Sequence, residues 1–135
     1  MINKEELKNE AIKARELSYS PYSHFKVGAA LLTKDGKYIY GANIENSAYG
    51  LCLCAERNAI FGAYMQGYKK EDIIALGLVT DSPKLASPCG SCRQVMSELL
   101  SHDVPVYMFT LKGEELVKTV EELLPYSFDS DNLDK

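Results

Sequence analysis

The sequence has no tryptophan and only two histidines among its 135 residues, and it carries no excess of positive charge. Its 15 Lys and Arg against 19 Asp and Glu give a net charge of −4, whereas proteins that bind nucleic-acid phosphates usually carry a basic surface. No apolar run approaches the ~20 residues that cross a bilayer, and the polar first residues lack the apolar core of a secretory signal. We therefore expect a cytoplasmic protein with no nucleic-acid partner and no membrane partner.

What is present fits one globular domain. Hydrophobic residues make up 46% of the chain and charged residues 25%, which is an ordinary composition for a folded protein. A chain of this length is expected to form a single domain over residues 1–135, since two domains would each have fewer than ~70 residues. In a reducing compartment, the four cysteines are expected to bind metal or take part in catalysis rather than form disulfides.

Hydrophobic periodicity predicts helices that alternate with strands. A capping-box-like pair, Asn3 and Glu6, begins a helix whose apolar residues recur up to Leu17 and which Pro21 ends. The further elements are strands at 25–33 and 37–44, a helix at 55–66, a strand at 73–80, a helix at 90–101, strands at 104–111 and 115–119, and a helical turn at 120–124. This order predicts an α/β fold with a mixed five-stranded sheet sandwiched between helices.

Three of the cysteines stand at predicted helix starts. Cys54 precedes the second helix, and Cys89 and Cys92 open the third. Helix N-termini stabilise thiolates, which are the form of cysteine that binds metal. Three protein ligands leave the fourth tetrahedral position of a Zn²⁺ ion open, as in catalytic zinc sites. Glu56, two residues after Cys54, could accept and donate protons beside that position, so we expect one catalytic zinc per chain.

Two other interpretations of the cysteines are open. Cys89-Gly90-Ser91-Cys92 could be a redox dithiol, although that leaves Cys54 and Glu56 without a role. A structural Cys₄ zinc site would add Cys52, but the spacing Cys52-x-Cys54 is tight for two ligands of one metal. Cys52 is more simply interpreted as a small buried hydrophobic residue.

Two motifs carry a family resemblance. Cys54-Ala55-Glu56 and Pro88-Cys89-Gly90-Ser91-Cys92 resemble the two halves of the zinc nucleoside deaminase signature. Residues 43–50, the pair Arg93-Gln94 and the segment Leu123-Leu124-Pro125 narrow the resemblance to the short, homotetrameric cytidine deaminases, over nearly the whole chain. The sequence is therefore identified as a member of that family.

The resemblance implies a hydrolase. In such enzymes a water activated by zinc attacks C4 of the pyrimidine, a glutamate carries protons to N3 and to the leaving amine, and ammonia departs. Glu56 takes that role here, so cytidine and deoxycytidine would give uridine and deoxyuridine in pyrimidine salvage. An enzyme for a cytosine-nucleoside antibiotic is the nearest alternative, which the long match at 43–50 disfavours. A noncatalytic Cys₄ module is the alternative of a different class.

The resemblance also assigns residues to the substrate. Asn43 and Glu45 alternate onto one face of a strand end, where they would form hydrogen bonds with ribose hydroxyls. Phe25 would pack near the pyrimidine ring, and the Ala55 N–H would meet the base carbonyl.

Three further residues complete the predicted site. By position, Tyr49 and Phe128 would reach it from neighbouring subunits of the tetramer. Three thiolates and Zn²⁺ sum to −1, which makes the metal a weaker Lewis acid. Arg57, just inside the second helix, could offset that charge by donating hydrogen bonds to thiolate sulfur.

Overall fold

The computed structural model describes residues 2–133. Its helices and strands follow the predicted order: α1 (Lys4–Arg15), β1 (Val27–Thr33), β2 (Tyr38–Ala42), α2 (Ala55–Met65), β3 (Ile73–Thr80), α3 (Gly90–Leu99), β4 (Pro105–Thr110), β5 (Glu115–Thr119) and α4 (Val120–Leu123). Short 3₁₀ turns lie at Tyr49–Leu51, Lys70–Asp72 and Ser130–Asn132. None of the helices in this range combines the length and the apolar character needed to cross a membrane.

The five strands form one mixed sheet in the order β2-β1-β3-β4-β5. β1 pairs antiparallel with both β2 and β3, and β5 pairs antiparallel with β4. β3 and β4 are parallel, which requires a crossover, and α3 supplies it. The predicted mixed sheet between helices is confirmed.

Each face of the sheet packs against its own helices. Alternate residues of β1 and β3 point to opposite sides, so Ala30 and Val79 meet α1 while Leu31 and Leu78 meet α2 and α3. The buried residues on the α1 side are Leu7, Ala11, Ala30, Leu32, Ala75, Val79 and Phe109. The other side has the larger core, and the cysteines lie at its edge.

Two glycines on neighbouring strands allow helices to approach the sheet closely. A Cβ atom on Gly28 would lie 2.3 Å from the Ala11 carbonyl oxygen of α1, and one on Gly41 would lie 2.2 Å from the Ala55 oxygen of α2. Both distances are far below van der Waals contact. Gly41 therefore fixes how near the first turn of α2, which follows Cys54, sits to β2.

The first helix is shorter than its apolar pattern predicts. Asn3 caps it as expected, accepting a hydrogen bond from the Glu6 N–H at 3.1 Å. The helix ends at Arg15 rather than near Pro21, and Leu17 is 61% exposed. Tyr19 instead pairs with the chain after β2, donating to Asn43 O at 3.0 Å and accepting from Glu45 N at 2.9 Å. These bonds to a distant segment replace the last helical turn.

Candidate metal and substrate site

Three cysteine sulfurs converge where two helices begin. Cys54 is the N-cap residue of α2, Cys89 is the N-cap residue of α3, and Cys92 lies in the first turn of α3. The three sulfurs lie within 4.8 Å of one another. The free N–H groups of a helix start favour negative charge, so both helices stabilise thiolates at this point.

The sulfur spacing fits zinc. Zinc binds thiolate sulfur at about 2.3 Å, which in a tetrahedron separates neighbouring sulfurs by about 3.8 Å. The Cys54 and Cys89 sulfurs are 3.9 Å apart, and those of Cys89 and Cys92 are 3.5 Å apart. Within residues 2–133 this is the group of potential ligands that could hold a metal ion.

Cys52 lies outside the sulfur cluster. Its sulfur accepts a hydrogen bond from the Asn46 N–H at 3.3 Å. The side chain is half-buried and lines a cavity beside the cluster, so it is less buried than the small buried hydrophobic residue that the sequence suggested. A four-cysteine site would require this side chain to leave Asn46.

The thiols do not ionise independently. The pKa of Cys54 lies well below its ordinary value, because hydrogen bonds with the Cys92 thiol and the Arg57 guanidinium lower it. These contacts outweigh burial, which acts in the opposite direction. Cys92, which is completely buried, has a pKa raised by its hydrogen bond with Cys54 and by burial. Binding of a metal by all the sulfurs therefore requires release of protons.

Arg57 contacts the cluster directly. Its Nη2 atom lies 3.4 Å from the Cys54 sulfur, the kind of contact expected of a residue that offsets thiolate charge. Its Nε atom is buried without a hydrogen-bond partner among the described residues. A cation in the first turn of a helix opposes the helix dipole, so the neighbouring thiolates explain its position better than the helix does.

Glu56 is the buried acid of this site. It lies in the first turn of α2 with 5% of its surface exposed. Burial raises the pKa of its carboxyl group to about 7, and the charge of Cys54 acts in the same direction. A carboxyl group with this pKa can both hold and release a proton near neutral pH.

A cavity of about 280 Å³ opens beside the sulfurs. This volume lies just below the usual range of about 300–1,000 Å³ for small-molecule sites. Its walls combine apolar and polar side chains, which are Phe25, Val27, Asn43, Glu45, Cys52, Leu53, Cys54, Ala55, Glu56, Leu78, Thr80, Ala86 and Ser87. The acid, one cysteine of the cluster and the residues expected to bind substrate thus face one small space.

The Asn43 side chain uses most of its hydrogen-bonding capacity within the protein. Its Oδ1 accepts hydrogen bonds from Ser18 Oγ at 2.6 Å and from the Val27 N–H at 2.9 Å. Its Nδ2 donates to Phe25 O at 2.8 Å, which leaves one amide hydrogen free. The side chain therefore anchors the segment before β1 and keeps one donor for a ligand.

Glu45 anchors the same segment further along. Its carboxylate accepts hydrogen bonds from the Tyr22 N–H at 3.0 Å, from the Ser23 N–H at 3.1 Å and from the Ser23 hydroxyl. The hydroxyl is the main cause that lowers the pKa of Glu45. The carboxylate is therefore a fixed acceptor in the lining of the cavity.

Tyr49 and Phe128 do not line the cavity of their own chain. Tyr49 is 74% exposed and packs edge-on against Tyr22, with ring centroids 6.2 Å apart. Phe128 is 60% exposed and lies in a larger cavity of about 460 Å³ formed with Phe61 and the outer side of α3. That cavity is larger than the one beside the sulfurs but contains none of the thiols.

Several cavity residues escaped the sequence analysis. Leu53, Leu78, Thr80 and Ser87 line it, and Ser18 fixes Asn43. Ser87 stands beside the Pro88-Cys89 motif, which is a signal that could have identified it. Ser18 is 25 residues from Asn43, and nothing local in the sequence links the two.

Known families and structures show the class of the protein. The family of the cytidine and deoxycytidylate deaminase zinc-binding region matches residues 1–108. The chain belongs to this family. The match and the sulfur cluster together confirm the predicted family and the predicted zinc cofactor.

Relatives of this deaminase family extend the match over the chain. It is 50% identical over 132 residues to a cytidine deaminase of Halalkalibacterium halodurans, covering 98% of both chains. It is 48% identical over 129 residues to one of Sporosarcina psychrophila, covering 96% of this chain and 93% of the relative. The crystal structure of a cytidine deaminase from Burkholderia pseudomallei superposes with a TM-score of 0.92 at 44% identity, covering 94% of this chain and 100% of that one.

Proposed function

We propose that the protein deaminates cytidine and deoxycytidine hydrolytically at C4 of the base, giving uridine or deoxyuridine and ammonia. The observation that carries this proposal is the buried Glu56 carboxyl, which faces a small cavity beside three convergent thiols. Relatives over the whole chain carry the name cytidine deaminase. The reaction would serve pyrimidine salvage in the cytoplasm, with residues 1–135 acting as one domain.

Cys54, Cys89 and Cys92 would hold one zinc ion per chain beside the cavity, and a set of three protein ligands is typical of catalytic zinc. When bound, zinc supplies a Lewis acid that lowers the pKa of water toward ~7. Glu56 would move protons to N3 of the pyrimidine and to the departing amine. Arg57, at 3.4 Å from the Cys54 sulfur, would offset the negative charge of the thiolates.

The substrate would be bound by groups that already line the cavity. Ala55 is the first residue of α2, so its N–H has no helical partner and can donate to the base carbonyl. Phe25 would pack near the ring. Glu45 can accept from a ribose hydroxyl, and the free amide hydrogen of Asn43 can donate to a hydroxyl oxygen.

Neighbouring subunits would complete each site. The largely exposed rings of Tyr49 and Phe128 do not line the cavity beside the sulfurs of their own chain and would instead enter that of a neighbouring subunit. We propose a homotetramer with shared sites and with no nucleic-acid or membrane partner. The mass in solution tests the assembly, and a monomer with full activity would contradict the sharing.

The experiment that tests the reaction measures ammonia and zinc together. We expect the purified protein to contain about one zinc per chain and to release ammonia from cytidine and deoxycytidine, and much more slowly from free cytosine. Release from a cytosine-nucleoside antibiotic alone would favour the alternative substrate. Bound zinc with no ammonia from any of these compounds would contradict an enzymatic role.

A further inference from the structure

The Arg93 side chain turns back from the first part of α3 toward the loop that precedes it. Its Nε donates to Pro88 O at 2.8 Å, its Nη1 to Leu123 O at 2.8 Å and its Nη2 to Ser87 Oγ at 2.6 Å. All three guanidinium nitrogens are therefore engaged, each with a different residue. A helical side chain leans toward the N-terminus of its helix, which allows Arg93 to reach this loop.

The three acceptors belong to two separate parts of the molecule. Ser87 lines the cavity beside the sulfurs, and Pro88 immediately precedes Cys89. Leu123 ends α4 and is buried, with 7% of its surface exposed. Arg93 thus connects the wall of the cavity to a buried helix end near the C-terminus.

The loop that leads to Cys89 has few hydrogen bonds of its own. Within residues 2–133, no backbone–backbone hydrogen bond outside the helices and strands involves residues 83–88. A loop without such bonds depends on side-chain contacts for a defined position. Arg93 supplies two of these contacts, at adjacent residues, directly before the Cys89 thiol.

We propose that Arg93 is a positioning residue that holds the segment Ser87-Pro88, which contains the cavity-lining Ser87 and leads into Cys89, against the end of α4. The role rests on the proposed zinc and nucleoside site. Because guanidinium is planar and presents its donors at fixed angles, it sets three acceptors relative to one another. A lysine ammonium at the same place is a flexible point charge and cannot hold all of them.

Gln94 provides a matched control. It follows Arg93 on α3 and also holds the C-terminal segment, since its Nε2 donates to Phe128 O at 2.7 Å. Its side chain lines the cavity on the outer side of α3 rather than the one beside the sulfurs. Loss of Gln94 should loosen the C-terminal segment and leave the segment Ser87-Pro88 in place.

The test compares Arg93→Lys, Arg93→Ala, Ser87→Ala and Gln94→Ala as zinc-loaded proteins. The readouts are kcat and KM for cytidine, the rate of zinc transfer to a chromophoric chelator, and Tm. We expect both Arg93 variants to raise KM and to speed zinc transfer by about tenfold, as loss of one or two hydrogen bonds would give. Ser87→Ala should reproduce a smaller part of the KM change. Gln94→Ala should keep the zinc-transfer rate within about twofold of the parent, whereas its KM can rise because Gln94 holds Phe128.

Other outcomes would overturn the proposal. Arg93→Lys with a lower Tm but the KM and zinc-transfer rate of the parent would make Arg93 a residue of the fold only. Equally fast zinc transfer in Gln94→Ala would assign the change to the C-terminal segment and not to the contacts of Arg93 with Ser87 and Pro88. If Arg93→Ala does not fold, Arg93→Lys and Ser87→Ala carry the test. If the parent protein releases no ammonia, the proposed reaction fails, while zinc transfer still decides the role of Arg93.

Discussion

The two faces of the sheet differ in how their polar groups are used. On the α1 face, the polar contacts join helix and sheet: Tyr38 donates to Glu6 at 3.0 Å, and Tyr40 donates to Glu10. On the α2–α3 face, a buried acid and one of three clustered thiols line a cavity, and a buried arginine Nε lies beside the cluster.

The polar groups of the α1 face therefore stabilise the fold, whereas those of the α2–α3 face are available to bind a ligand. Buried ionisable groups that lack ideal partners destabilise a protein, and among residues 2–133 the buried groups Glu56, Cys92 and Arg57 Nε lie on this one face. The well-satisfied α1 face can offset that cost. Substitutions on the α1 face should therefore change stability, and substitutions beside the cavity should change activity and zinc binding.

The largest effect is expected at Glu56. Glu56→Gln keeps the size of the side chain but removes the proton carrier, so kcat for cytidine should fall by about 10²- to 10⁴-fold. Zinc content and Tm should stay close to those of the parent. Glu98→Gln, at an exposed position of α3, is the matched control and should keep full activity. Turnover retained by Glu56→Gln would show that the acid has another role.

Alanine substitution of Gly28 and of Gly41 makes the same steric change on the two faces of the sheet. Gly28→Ala and Gly41→Ala each force a Cβ against a backbone oxygen, 2.3 Å and 2.2 Å away, and overpacking of this kind costs about 1–3 kcal/mol or more. Denaturant unfolding should show similar losses. Gly41→Ala should also lower zinc content, because it displaces Ala55 beside Cys54, whereas Gly28→Ala should not. Equal zinc loss in both variants would contradict the separation of the faces.

An intermediate effect is expected at Arg57. Arg57→Ala removes a cation 3.4 Å from the Cys54 sulfur, so kcat/KM should fall by about 10- to 100-fold. The acid limb of the pH–rate profile should move to higher pH, because loss of a nearby positive charge makes every acid in the site harder to ionise. An unchanged profile would mean that Arg57 only packs.

The smallest effect is expected at Asp81, whose carboxylate accepts from Arg15 Nε at 2.6 Å and from the Lys26 N–H at 2.9 Å. Burial would raise its pKa, but these partners outweigh burial and lower it. Asp81→Asn should cost about 1 kcal/mol at pH 7, allowing for partial exposure.

Because the folded pKa of Asp81 is the lower one, the stabilisation is complete above the unfolded pKa of about 3.9 and is lost as pH falls through the folded pKa. The stabilities of parent and variant, measured by urea unfolding, should therefore converge in acid. Their kcat/KM for cytidine should agree within about twofold. A stability difference that persists at low pH would contradict the ionic contribution.

Local patterns predicted most of the fold. The strands at 73–80 and 115–119 have the predicted limits, because a continuous apolar run and a short turn are local signals. The predicted end of α1 near Pro21 is wrong, because Tyr19 forms backbone hydrogen bonds with Asn43 and Glu45, which lie far along the chain. Periodicity alone contains no information about such a pairing.

The candidate site, like the fold, could be predicted where the signal is local in the sequence. The cysteines and Glu56 lie in motifs whose spacing at helix starts is informative, so they could be found from the sequence. The contacts that hold the cavity residues could not be found from the sequence. The hydrogen bonds from Ser18 to Asn43 and from Arg93 to Leu123 O join residues that are distant in the chain. Only the folded sheet brings these partners together.

The most direct measurement of the central claim, an open three-thiol zinc site, compares zinc content and ammonia release in Cys54→Ser and Cys52→Ser. Cys54→Ser exchanges a thiolate ligand for a hydroxyl that stays protonated, so zinc and deamination should be lost together. Cys52→Ser should keep about one zinc per chain and most of the activity, since Cys52 bonds to Asn46 instead. Equal zinc loss in both variants, with no ammonia from cytidine in the parent protein, would contradict the open site and favour a closed four-cysteine one.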